Sequence, residues 1–271
     1  MSRTVVVTGA SSGIGEACAL RLAAAGWRVY GGVRSTDARS SLRARGVEPI
    51  ELDVTSPEQI AAAADAVGAT LDGLVDNAGI AIAAPLELVP VDGLRRQLEV
   101  NVVGQVAVTQ AFLPALRRAR GRIVLMGSIG GRSALPFLGP YAASKHALEA
   151  IADSLRVELR PWGIAVSIVE PASIKTAIWT KGASRADEMR AQLPDDSQLL
   201  YETAIEKFRQ VALARGPGGD PDDVAKAVEH ALTARRPKAR YLVGRDAHIR
   251  AWVERLPTRA RDRLFARLLT D

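Results

Sequence analysis

Tyr141 and Lys145 stand four residues apart in a stretch with helical spacing, so both side chains leave one helix face a turn apart. A tyrosine in water has a pKa near ~10 and is a poor base at neutral pH. An ammonium group held within a few ångströms favours the phenolate and lowers that value. Such a pair can exchange a proton with an alcohol or ketone while a cofactor exchanges the hydride. Ser128 follows an apolar strand-like run (123–126), which puts it at a sheet edge, where its hydroxyl can polarise a substrate oxygen. Taken singly, a Tyr and a Lys one turn apart recur by chance, and a loop serine can simply bond its own backbone.

A second constellation suits a dinucleotide. Thr8-Gly9-Ala10-Ser11-Ser12-Gly13-Ile14-Gly15 joins a strand to a helix, and its glycines permit a tight turn and close approach of a ligand to the backbone. The helix N-terminus beyond it offers free N–H groups to a pyrophosphate. The spacing is GxxxGxG rather than GxGxxG, and a structural Gly-rich turn is the alternative reading. The next strand ends Gly31-Gly32-Val33-Arg34, with Arg34 where a carboxylate would accept the ribose hydroxyls of NAD(H). An arginine there would neutralise a 2′-phosphate, so NADP(H) is preferred and NAD(H) stays open, since the Gly-rich loop holds no second basic residue. Asp37 reads as a first-turn helix residue capped by Ser35 or Thr36.

The elements that must carry these groups alternate along the chain. Short β-branched runs at 4–8, 28–33, 48–53, 73–77, 121–126 and 164–170 read as strands. Stretches with helical apolar spacing lie between them at 15–25, 37–45, 57–67, 92–118 and 141–160. Valine- and isoleucine-rich strands alternating with helices predict an α/β fold, a doubly wound, Rossmann-like parallel sheet in a single domain, with ligands beyond the carboxyl ends of the strands. Residues 174–215 interrupt the rhythm and read as a helical substrate lid, followed by a helix opening at Pro221 and a short strand over 241–243. The catalytic domain is therefore expected over 1–245, with a basic helical tail over 246–271.

Of the 271 residues, 48% are apolar and 24% charged, the balance of a folded chain rather than a disordered one. The single cysteine, Cys18, excludes an internal disulfide, and three scattered histidines give no metal-ligand spacing, so no metal is expected. No apolar run is long enough to span a bilayer and no leader opens the chain, so a cytoplasmic setting is expected. The net charge of +6 is unevenly spread: residues 235–271 hold 11 Lys/Arg and 4 Asp/Glu, leaving 25 basic and 26 acidic groups before them. A neutral body with no aromatic stacking platform argues against nucleic acid. The tail carries apolar stripes among its arginines, favouring docking on the body or another subunit over an amphipathic membrane helix. It is expected to lie outside the active site.

Taken together, the TGASSGIG stretch, Asp76-Asn77-Ala78-Gly79, Asn101 within Asn-Val-Val-Gly, Ser128, Tyr141-Ala-Ala-Ser-Lys145 and Glu170-Pro171-Ala172 resemble the short-chain dehydrogenase/reductases in order and spacing. The resemblance covers roughly residues 3–245. Ser154-Leu-Arg-Val-Glu-Leu and Val169-Glu-Pro are similar to its retinol, 17β-hydroxysteroid and 3-hydroxybutyrate dehydrogenase branch. The resemblance implies Tyr141 as general acid/base, Lys145 lowering its pKa and holding the nicotinamide ribose, Ser128 on the reacting oxygen, and Asn101 holding a water that links Lys145 to solvent. It implies further that Gly9, Ser11, Ser12, Gly13, Ile14 and Gly15 cradle the pyrophosphate. Asp53 and Val54 would meet the adenine, Asn77, Ala78 and Gly79 the adenosine side, and Pro171, Ile174 and Thr176 the nicotinamide end. It also implies a homodimer or homotetramer. Asp76 and Ala172 depart from the family's Asn and Gly; a structural role for Asp76 is favoured over a second acid/base centre.

Substrate preference is expected in 130–140 and 174–210, where Leu135, Phe137, Leu138, Ile178 and Trp179 could wall an apolar pocket for a steroid-, retinoid- or fatty-type alcohol or ketone. The alternative is that these side chains only pack the lid. The leading expectation is an NADP(H)-dependent alcohol dehydrogenase or carbonyl reductase. An NAD(H)-dependent member of the same family and a non-catalytic NADP(H)-sensing regulator are its rivals, and a regulator would be expected to lack Tyr141 or Lys145.

Overall fold

Valine at 5, 6 and 7 shows how the sheet is buried on both faces. Successive strand side chains point to opposite sides, so Val5 and Val7 join one apolar layer while Val6 joins the other. The same split divides Val75 from Leu74, and Val124 and Met126 from Ile123 and Leu125. A computed structural model describes residues 2–178, 182, 199–214 and 218–270, and its centre is a seven-stranded sheet.

The strands are β1 (Thr4–Val7), β2 (Arg28–Val33), β3 (Glu48–Glu51), β4 (Gly73–Asp76), β5 (Arg122–Met126), β6 (Ala165–Pro171) and β7 (Arg240–Val243). Their order is β3-β2-β1-β4-β5-β6-β7, and every pairing is parallel. The chain therefore reverses direction across the sheet between β1 and β4, the switch point where such folds bind ligands. Helices α1 (Gly13–Ala24) and α2 (Thr36–Ala44) flank the first strands, and α3 (Pro57–Val67) lies before β4. Ser35 caps α2 by accepting from the Ala38 amide at 3.4 Å, as Ser56 caps α3 from the Gln59 amide at 3.2 Å. Proline at the first position of α3 gives up only an amide that has no intrahelical partner.

The expected single helix over 92–118 is in fact interrupted. Helix α4 (Val91–Leu98) passes through a wide π-turn at Glu99–Val103 into α5 (Gly104–Ala119). Such a turn re-aims one side chain within a continuous helix, and here Asn101 is driven into the interior. Helix α6 (Gly139–Glu158) begins two residues earlier than the apolar pattern suggested, and Ala142 and Leu148 lie buried along it. Strands β3 and β4 end at Glu51 and Asp76, short of the expected 53 and 77, which leaves those positions free for loops over the sheet edge.

Beyond β6, helix α7 (Glu202–Ala214) is followed by α8 (Pro221–Thr233), whose Asp220 cap accepts from the Asp222 amide at 2.8 Å. Helix α8 packs on α1, joined by Arg21 to Asp222 at 2.9 Å and to Glu229 at 2.6 Å. The C-terminal segment forms α9 (Arg245–Val253) and α10 (Thr258–Thr270). Both dock: α9 against β7 and the turn at Ile129–Gly131, α10 against α7. No helix among the described residues is long and apolar enough to cross a membrane.

Candidate active site

The carboxyl ends of the strands open into one cleft, and the turn after β1 forms its floor. Gly9 and Gly13 hold φ values of +65° and +60°, which other residues adopt at a cost. At Gly15 a side chain has no room: a Cβ would lie 2.3 Å from the Gly9 carbonyl oxygen and 2.5 Å from Asn77 Nδ2. The turn is stitched to the end of β4 by Thr8, whose hydroxyl accepts from the Asn77 and Ala78 amides, each at 2.9 Å. Asn77 Nδ2 donates back to the Thr8 carbonyl at 2.9 Å. Ser12 stands at the N-cap of α1 with no side-chain capping bond, so the first amides of that helix are left for a ligand in the cleft. Glycine-lined backbone, uncapped amides and a helix dipole together fit a pyrophosphate.

At one end of the cleft, Arg34 extends from the end of β2 with its side chain 63% exposed, its Nη1 3.7 Å from Asp53 Oδ2. Burial pushes the Asp53 carboxyl up, but bonds from the Thr55 amide (2.9 Å) and hydroxyl (2.8 Å), with Arg34 and Arg96 nearby, hold it below its usual value. Asp53 is therefore an anion, and Arg34 is the cation facing it.

At the other end lie the groups that could move a proton. Ser128 caps the short turn Ile129–Gly131, accepting from the Gly130 amide at 3.0 Å. Tyr141, in the first turn of α6, is buried, and burial raises its pKa; a hydrogen bond from Ser128 and the positive charge of Arg250 pull the other way. Lys145 is also buried, and desolvation lowers its pKa to about 8. Its Nζ donates to the Met126 carbonyl at 2.7 Å and lies 5.7 Å from the centre of the Tyr141 ring. Asn101 does not reach the cleft wall. Its amide nitrogen donates to the Ile80 carbonyl and the Ser144 hydroxyl, each at 3.0 Å, and its Oδ1 accepts from the Ile80 amide at 2.8 Å. Both amide hydrogens are committed, so the side chain ties the loop after β4 to α6.

Every residue expected to contact the cofactor lines this cleft: the Gly-rich turn, Arg34, Asp53, Val54, residues 77–79, Tyr141, Lys145, Pro171, Ile174 and Thr176. Gly32, Val33, Leu52, Ile80, Val100, Met126, Gly127, Ala172 and Ala177 line it as well. Most of these flank expected residues at strand ends, and the common carboxyl edge of a parallel sheet was the signal that could have found them. Of the expected substrate residues, Ile178 is on the wall. Leu135, Phe137 and Leu138 are half-buried and do not line the cleft. Phe137, held at φ +62°, packs edge-on against Tyr201 (6.3 Å between centres) and Phe208 (5.6 Å) of the α7 region. Trp179 lies outside the described residues.

The comparisons with known proteins agree with this geometry. Residues 3–187 match the family model described as short chain dehydrogenase. The chain belongs to the short-chain dehydrogenase/reductase family. A 3-amino-tetrahydro-pyrrolizinone reductase from Xenorhabdus hominickii is 35% identical over 252 residues, covering 90% of this chain and 88% of that protein. Human 17-beta-hydroxysteroid dehydrogenase type 1 is 37% identical over 256 residues, 89% of this chain and 77% of the relative. Among solved structures, a short chain dehydrogenase from Burkholderia cenocepacia in complex with NADP superposes with a TM-score of 0.76 at 30% identity, covering 100% of this chain and 98% of that one. As a member of this family the protein is an NAD(P)-dependent oxidoreductase.

The C-terminal segment was expected to lie outside the site, and none of its described residues lines the cleft, yet one of its arginines reaches the Ser128 turn region. Arg250 of α9 donates to the buried Ser133 carbonyl, just beyond the Ser128 turn, and its charge is felt at Tyr141. No local pattern could have shown this, because the contact spans 117 positions of sequence.

Proposed function

We propose that the protein interconverts an apolar secondary alcohol and its ketone with NADP(H), using Tyr141 as the acid/base. The observation that carries this reading is the buried Ser128–Tyr141 hydrogen bond at one end of a cleft whose other end presents Arg34. The nicotinamide, when bound, supplies hydride exchange with the carbinol carbon. In the oxidation direction Tyr141 Oη, as phenolate, takes the hydroxyl proton of the alcohol; in reduction the phenol returns it to the ketone oxygen. Ser128 Oγ donates to the same oxygen and stabilises charge that develops there. Lys145, whose ammonium lies one turn from Tyr141, would hold the nicotinamide ribose, and the amides of Gly13, Ile14 and Gly15 the pyrophosphate.

Arg34 supports NADP(H), because a guanidinium exposed at the cleft, though it faces Asp53, can pair with a 2′-phosphate. The NADP bound to the Burkholderia relative supports the same preference. Asp53 beside it would repel that phosphate, so measurable NAD(H) turnover is expected too. An apolar substrate is supported by Ile174, Ala177 and Ile178 on the wall near the proposed nicotinamide end, and by the steroid named for the human relative. Residues 1–245 would carry the chemistry, while 246–271 brace it.

The test is turnover of a panel of apolar ketones by wild type and Tyr141→Phe with NADPH. The variant should lose about 100- to 10,000-fold in kcat while NADPH affinity stays within about twofold. Undiminished turnover in Tyr141→Phe would remove Tyr141 from the mechanism.

A further inference from the structure

Helix α9 follows β7 and lies against the turn that carries Ser128. Its Ala247 and Val253 are buried, so the helix is seated on the body rather than hung from it. Between them, Arg250 reaches inward and gives a hydrogen bond from Nη2 to the Ser133 carbonyl. Ser133 is itself wholly buried, with its amide donating to the Ile129 carbonyl at 2.9 Å. The segment 128–133 is thus held at its start by Ser128 on the Gly130 amide and at its end by a guanidinium from the C-terminal segment.

We propose that Arg250 is a positioning residue for the Ser128–Tyr141 pair, clamping the end of the serine-bearing turn from the C-terminal segment. The inference rests on the proposed role of Tyr141 as acid/base. Other cations lie on the elements around the turn. Lys145, on the same helix as Tyr141, is engaged by the Met126 carbonyl. Arg132, within the turn region, is paired with Glu170 of β6 at 3.4 Å, and Arg240 of β7 serves Glu149, Asp153 and Glu170. Arg250 is the cation from α9 whose charge opposes the effect of burial on the Tyr141 hydroxyl. A cation beside a buried phenol favours the phenolate, the form needed to take a proton from an alcohol.

Two measurements test this on the full-length protein. The first is titration of Tyr141 by tyrosinate absorbance in the protein without cofactor, taken as the difference from Tyr141→Phe because the chain has 4 tyrosines. Arg250→Gln should move the Tyr141 midpoint up, and Arg250→Lys should restore most of that shift. The second is the pH profile of kcat for NADP⁺-dependent oxidation of cyclohexanol and a long-chain secondary alcohol. Its alkaline-rising limb should move up with the midpoint in Arg250→Gln, with kcat falling about tenfold below it and KM for NADP⁺ unchanged. A Tyr141 midpoint that is the same in wild type, Arg250→Gln and Arg250→Lys would overturn the proposal. So would a loss of turnover in Arg250→Gln, at unchanged midpoint, that Arg250→Lys shares. If Tyr141→Phe kept full turnover, the acid/base reading would fall instead, a result the titration does not depend on.

Discussion

Replacing Asp76 with asparagine should make the protein more stable, and by an amount that grows with pH. Asp76 ends β4, wholly buried, with Oδ2 accepting from Thr109 Oγ1 at 2.7 Å. Its Oδ1 has no hydrogen-bond partner among the described residues. Burial outweighs the Thr109 bond and raises the carboxyl from 3.8 to about 7. The folded protein therefore keeps a proton that the unfolded chain releases at much lower pH. Below the unfolded value both states are protonated and nothing is lost. Between the two values each rise in pH destabilises the fold, and above about 7 the loss is complete. At about 1.4 kcal/mol per pH unit the whole interval amounts to about 4 kcal/mol. From about pH 5 to about pH 8 the linkage relation gives about 2.5 kcal/mol.

The carboxamide of the Asp76→Asn variant has no proton to lose and keeps an acceptor for the Thr109 hydroxyl. Urea unfolding of both proteins across that range should show the variant's advantage rising by about 2.5 kcal/mol and flattening beyond neutrality. Glu170, which burial and then Glu149 push up to about 7, titrates in both proteins and cancels in the difference. A stability difference that does not change with pH would refute the placement of an uncompensated carboxyl at this position. It would also remove the physical ground for reading Asp76 as a structural departure rather than a site.

Other expectations follow from the cleft. Arg34→Ala should raise KM for NADPH by about 10- to 100-fold, the worth of a charge-assisted hydrogen bond, and leave KM for NADH within about threefold; equal losses with both cofactors would sink the 2′-phosphate assignment. Gly15→Ala should destabilise the fold by about 1–3 kcal/mol and abolish NADPH binding, because its Cβ would meet a backbone oxygen at 2.3 Å. Unfolding curves and fluorescence titration with NADPH measure both effects, and a variant that binds normally would show that the turn is not the cradle.

Much of this was legible in the primary structure because it is local or periodic. The alternation of valine-rich strands with helices determined the doubly wound sheet, since only a sheet covered on both faces buries Val5, Val6 and Val7 together. The Gly-rich turn determined where a pyrophosphate could lie, because its backbone requirements are met within eight residues of chain. The four-residue spacing put Tyr141 and Lys145 on one helix face. Tertiary structure alone decided the rest. Asn101 is turned inward by a π-turn that no hydrophobic period announces, and Phe137 is spent on Tyr201 and Phe208 rather than on the cleft wall. The unpaired oxygen of Asp76 depends on what α5 brings to β4. Arg250 is one of many arginines in a basic segment, and nothing in its neighbourhood marks it out. Only the docking of α9 on the Ser128 turn brings its charge to Tyr141, because electrostatics acts through distance in space and not through separation along the chain.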